Sequence, residues 1–202
     1  MFDRARSVGV MLVALSVAGV GCKPAAPTKE PVAPPVKEEL PVLDPDAGRA
    51  PTPYTAKQIR NATAVGRALT FIIETPDKPP VKQRFRFVDV DDEHATVATE
   101  ILDEKGQVVG QPELKISTWE ELRKHASYPK DATTITSAVV ETDAGSFPCK
   151  RYTVVEISGG SETRTVACFA DALPGPPIEM TKEKDGKLVM SMTLFKHEHG
   201  QN

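Results

Sequence analysis

Cysteine is scarce. Three residues in 202 are too few for a small protein stapled by a disulfide framework. There is no basic excess, because 25 Lys and Arg stand against 28 Asp and Glu, for a net charge of -3. A general nucleic-acid binder shows a basic excess or stripe, so that class is excluded. No apolar run reaches the about 20 residues that a membrane-crossing helix needs, which excludes a multi-pass membrane protein. Catalytic signatures are missing as well: no G-x-S-x-G, H-E-x-x-H, P-loop or Gly-rich dinucleotide fingerprint occurs. No internal repeat is evident, and the composition excludes collagen and coiled coil. What remains is 40% apolar and 26% charged, enough to bury the core of one ordinary domain.

The first residues read as an address. Arg4 and Arg6 precede the apolar run Val8–Val20, and small residues lead to Cys22. This is the layout of a signal peptide over residues 1–21. Its end, Val17-Ala18-Gly19-Val20-Gly21-Cys22, resembles the lipobox of bacterial lipoproteins. Gly19 departs from that pattern, where a Leu or Val is usual. The resemblance implies cleavage after Gly21 and acylation of Cys22, with chains such as palmitate. An ordinary secretory signal and an uncleaved anchor are the alternatives. Several acyl chains, each methylene contributing about 0.8 kcal/mol, make a stable membrane anchor. Lys23 stands where an Asp would mark retention in the inner membrane, which points to the periplasmic face of the outer membrane.

Residues 22–53 carry the lipidation site and a linker. Nine of the eighteen prolines lie between Lys23 and Pro53, with no aromatic residue. Proline blocks helix interiors and sheet ladders, so a disordered, partly polyproline-II stalk is expected, about 30 Å long as a flexible coil. The folded unit is expected over 54–197, followed by a polar tail over 198–202.

Within that unit, Thr55 caps a short helix running to about Ala64. Alternation marks strands near 69–73, 84–87, 95–101 and 107–109. Ser117-Thr118-Trp119-Glu120 reads as a capping box with Ser117 as N-cap. The helix it opens should run to about His125. Further strands are expected near 134–141, 146–157, 162–169, 178–183 and 187–196. Connections are mostly too short for parallel crossovers, so the sheet should be antiparallel.

The pattern Gly145-Ser146-Phe147, Cys149, Tyr152, a Gly-Gly hairpin, Leu173-Pro174-Gly175-Pro176-Pro177-Ile178, Gly186 and the strand Leu188–Leu194 resembles the last hairpins of periplasmic half-barrel proteins of the LolA/LolB and LppX type. Cys168 departs from it, standing where an aromatic residue is often found. The resemblance implies an α+β fold: a half-barrel of about eight antiparallel strands curved around one or two short helices, enclosing an apolar cavity.

The other two cysteines flank one hairpin. If Ser158-Gly159 is its two-residue loop, Cys149 lies directly opposite Cys168, within reach of a disulfide. Such a bridge contributes about 3 kcal/mol in the loop-entropy account. Two buried thiols are the alternative.

Candidate ligand-binding residues come from alternation. Leu188, Met190, Met192 and Leu194 share a face of the last strand, and Met180 lies on its neighbour. Phe85 and Phe87 add aromatic surface. Methionine surfaces adapt to variable apolar ligands, although the same face can be ordinary core. Lys82, Arg84 and Arg86 occupy the opposite face of the Phe85 strand and read as solvated. The acidic run Asp89, Asp91, Asp92, Glu93 lacks EF-hand spacing, and His197-x-His199 offers only two ligands. No metal or cofactor is therefore expected. The combined expectation is a monomeric, lipid-anchored, non-enzymatic envelope protein that binds a lipid, an acyl chain or a lipoprotein's lipid. The alternative is an interaction or structural module with a filled core.

Overall fold

Hairpins between sequence neighbours build most of the molecule. A computed structural model describes residues 46–200. The signal peptide, Cys22 and the linker as far as residue 45 lie outside the described residues, as do 201–202. Helix α1 (Ala56–Asn61) is followed by strands β1 (Ala68–Glu74), β2 (Val81–Val90), β3 (His94–Leu102) and β4 (Val108–Thr118). Helix α2 (Trp119–Lys124) leads to β5 (Thr133–Thr142), β6 (Gly145–Ser158), β7 (Ser161–Ala170), β8 (Glu179–Lys184) and β9 (Lys187–Glu198). All nine strands form one antiparallel sheet in the order β4-β3-β2-β1-β9-β8-β7-β6-β5. The count is one above the about eight expected.

Two meanders, β1–β4 and β5–β9, meet where β1 pairs with β9. The second meander curls. Its β5 touches β9, four strands away in the sheet order. The Phe147 ring of β6 lies 6.2 Å from the His197 ring of β9. The sheet stays open, with β4 and β5 at its edges.

The β6–β7 turn corrects one expectation. Ser158 pairs with Ser161, leaving Gly159-Gly160 as the loop, with φ of 59° and 81°. Both central positions of this turn need positive φ, which glycine takes at no steric cost. A Ser158-Gly159 loop would have put a serine there. The turn therefore moves by one residue and every cross-strand partner by two. Cys149 faces Ala170, and Cys168 faces Arg151. The two cysteines are buried, unbridged diagonal neighbours, not a directly opposed pair.

The helix cap also shifts by one. Thr118, not Ser117, caps α2: its hydroxyl accepts from the Glu121 amide at 3.1 Å, and the Glu121 carboxylate accepts from the Thr118 amide at 2.7 Å. Ser117 pairs with Ala95 in the β3–β4 ladder and is buried. Thr55 caps α1 with a complete box to Gln58. This helix stops at Asn61, short of Ala64.

The largest fully buried side chains include Tyr152, Phe71, Phe169, Leu69, Ile178 and Leu194. Burying one such side chain contributes about 1.5–3 kcal/mol. Described residues before position 54 also pack on the domain. Ala50 is buried and donates its amide to Tyr128 O at 2.9 Å. Tyr152 Oη donates to Pro51 O at 2.9 Å. The polar groups of this proline-rich entry segment thus find partners in the domain.

Candidate functional site

A hollow lies between the sheet and the two helices, with a volume of about 460 Å³. Its floor follows from the ladders. Phe85 of β2 sits between Leu69 of β1 and Thr99 of β3. One pair further along, Phe87 faces Val97, which faces Lys115 of β4. Met180 of β8 faces Met192 of β9. Directly opposed residues of an antiparallel ladder share a face, so this register gathers apolar side chains from non-adjacent strands. Ile59 of α1 and Leu122 of α2 form part of the roof, and the Gly175-Pro176-Pro177 loop closes one side.

The roof over this space is thin. Each helix is six residues long, and each supplies one large side chain to the lining. Trp119, the largest residue of α2, does not line the hollow. Its indole Nε1 donates to Asp91 O at 3.1 Å. A cavity lined by apolar groups offers water few partners and suits an apolar occupant.

Four of the seven expected ligand-binding residues line this cavity: Phe85, Phe87, Met180 and Met192. Leu188, Met190 and Leu194 do not. Leu194 is fully buried in the core, whereas Leu188 is 46% exposed. A bulge accounts for Leu188. Met190 faces Lys182 and Leu188 faces Glu183, so Val189 is an extra residue. Strict alternation fails there, and Leu188 leaves the face of Met190.

Arg67 is a residue the sequence does not single out. It is 5% exposed, and burial, the main influence, lowers its pKa. Its Nη1 donates to Pro174 O at 2.8 Å and to Thr63 Oγ1 at 3.1 Å. Its guanidinium lies 5.9 Å from the centre of the Phe87 ring. It thereby ties the loop that closes the cavity to the chain entering β1. A side-chain bond to a carbonyl over a hundred positions away leaves no local pattern to read.

The other face of β2 is less solvated than expected. Glu100, 1% exposed, takes Nε of Arg84 at 2.5 Å and Nη2 of Arg86 at 2.6 Å. Burial works to raise its pKa, but the two guanidinium hydrogen bonds and charges outweigh that and hold it below the ordinary value. Lys82 places Nζ 4.6 Å from the centre of the Phe195 ring. The acidic turn is self-satisfied: Asp91 Oδ1 accepts from the amides of Glu93 and His94 at 2.7 and 2.6 Å. Among the described residues, no group of three or more His, Cys, Asp or Glu is placed to hold a metal. The His197 and His199 rings lie 5.1 Å apart. Burial first, then His199 and Arg67, lower the pKa of His197.

No protein-family model and no curated protein matches the sequence. Among solved structures, the chain is similar to a protein from Parabacteroides distasonis ATCC 8503 described as a candidate lipoprotein, at 9% identity and a TM-score of 0.42, over 67% of this chain and 96% of that one. A score at that level identifies neither a family nor a function.

Proposed function

We propose that this is a lipid-anchored protein of the cell envelope that binds an apolar ligand and catalyses no reaction. The observation that carries the reading is the unfilled cavity of about 460 Å³ with its aromatic and methionine floor. Its size falls in the range of small-molecule sites. The open antiparallel sheet with its two short helices is compatible with the half-barrel resemblance, and the lipobox-like end at Cys22 supports the anchor. On this reading the protein is a monomer on the periplasmic face of the outer membrane, and the lipid it takes is the occupant of the cavity.

The test is a titration with a fluorescent fatty acid, run alongside a denaturant midpoint. Wild type should bind saturably. Replacing Met180 or Met192 with Trp should weaken binding about ten-fold or more and cost little stability, since the void accepts the larger ring. Met190→Trp, outside the cavity, should leave binding unchanged. Destabilisation of about 1–3 kcal/mol, as in an overpacked core, with no saturable binding by wild type, would sink the proposal.

One observation favours a second reading, a protein-interaction module. Edge strand β4 has one unpaired side and exposes Leu114 and Ile116 by 64% and 69%. Such edges template pairing with another chain. Absence of lipid binding would leave this reading standing.

A further inference from the structure

We infer that the cavity takes a single-chain anionic amphiphile, an acyl chain ending in a carboxylate, with its head between Lys115 and His125. The inference rests on the apolar-ligand reading above and narrows it in two ways.

The first is size. A volume of about 460 Å³ lies toward the lower end of the range of small-molecule sites, which favours one chain over the several chains of a lipoprotein anchor.

The second is charge. Among the described residues, no Asp or Glu lines the cavity. The lining includes two residues that can carry positive charge, Lys115 on β4 and His125 at the C-cap of α2. Both are exposed, so they belong to the wet side of an otherwise apolar space. Among the described residues, neither takes part in an ion pair. Glu121 feels the charge of Lys115, but its carboxylate is committed to the Thr118 amide of the capping box. A carboxylate entering an apolar site needs a charged or hydrogen-bonding partner. Lys115 and His125 supply that partner where the cavity meets solvent, while Phe85, Phe87, Met180 and Met192 receive the tail.

The test uses the full chain carrying Cys22→Ala, so that no covalent acyl group competes. The probes are a naturally fluorescent polyunsaturated fatty acid, its methyl ester, and unlabelled phosphatidylcholine as competitor. The acid should bind more tightly than the ester. Lys115→Gln and His125→Gln should each weaken acid binding about two- to five-fold, the range of an exposed ion pair. Ester binding should not change. Both residues are exposed, and the ester verifies an intact cavity in each variant. Equal affinity of acid and ester, or equal losses for both in the variants, would overturn the anionic head. Displacement of the acid by phosphatidylcholine at equal potency would overturn the single chain. If neither probe saturates the Cys22→Ala protein, the apolar-ligand reading itself fails, a result distinct from the others.

Discussion

Arg84 lies directly across the β2–β3 ladder from Glu100, and the Arg84 guanidinium bonds a carboxylate that is 1% exposed. Arg86, two residues along, bonds the other oxygen. The three side chains form one charged unit on a sheet face that alternation alone marks as solvated.

That unit makes stability acid-sensitive in a defined direction. The folded-state pKa of Glu100 lies below its ordinary value, so the folded form binds the proton more weakly than the unfolded form. Its contribution is complete above the unfolded value of about 4.3 and is lost as pH falls through the folded value. Glu100→Gln should destabilise the protein at pH 7 and flatten the acid limb. Urea midpoints of both proteins between pH 7 and pH 3 check this. Parallel curves would show that Glu100 titrates as an ordinary glutamate.

Thr118→Ala should cost about 1 kcal/mol, the usual value of an N-cap. Ser117→Ala should cost less, because the Ser117 hydroxyl caps nothing. Thermal melts of the two variants decide between the adjacent cap positions. A larger loss from Ser117→Ala would return the cap to Ser117.

The shift between these positions shows what the sequence can convey. Ser117/Glu120 and Thr118/Glu121 both satisfy the capping-box spacing. The choice is made by β3, which pairs Ser117 with Ala95 and lets the strand run to Thr118. The same holds at Gly159-Gly160, where two loops fit the local pattern and only one spares serine a positive φ. Phe85, Phe87, Met180 and Met192 were legible from alternation as inward-facing residues, but that Met190 and Leu194, on the face of Met192, miss the cavity was not. Leu188 was not legible either, because the bulge at Val189 depends on the partner strand. The pairing of β1 with β9 and the Arg67 to Pro174 bond are non-local, so neither has a sequence signature.

Cys149 and Cys168 should behave as two protected thiols. Burial chiefly, and Cys168 beside it, push the Cys149 thiol up to about 11, so little reactive thiolate exists at pH 8. Alkylation of the native protein should be slow. Urea without reductant should release two reactive groups, each identifiable by peptide mapping. A Cys149–Cys168 linked peptide in the unreduced digest would show the bridge that the register does not favour.

Cys22→Ala should abolish acylation. Bacteria expressing wild type and given a labelled fatty acid should show label on the protein in the membrane fraction. The variant should carry none. Label that persists in the variant would refute the lipobox assignment.

The pairing of β1 with β9 governs the order in which the sheet can assemble. The hairpins within each meander close short loops, whereas this central ladder joins residues from opposite ends of the domain. Such long-range closure is slow. A nascent chain that stops before Lys187 leaves β1 and β8 each with an open edge in the middle of what will become the sheet. Truncation there should yield an aggregating chain rather than a smaller stable sheet. The last strand is thus the step that turns two unfinished half-sheets into one.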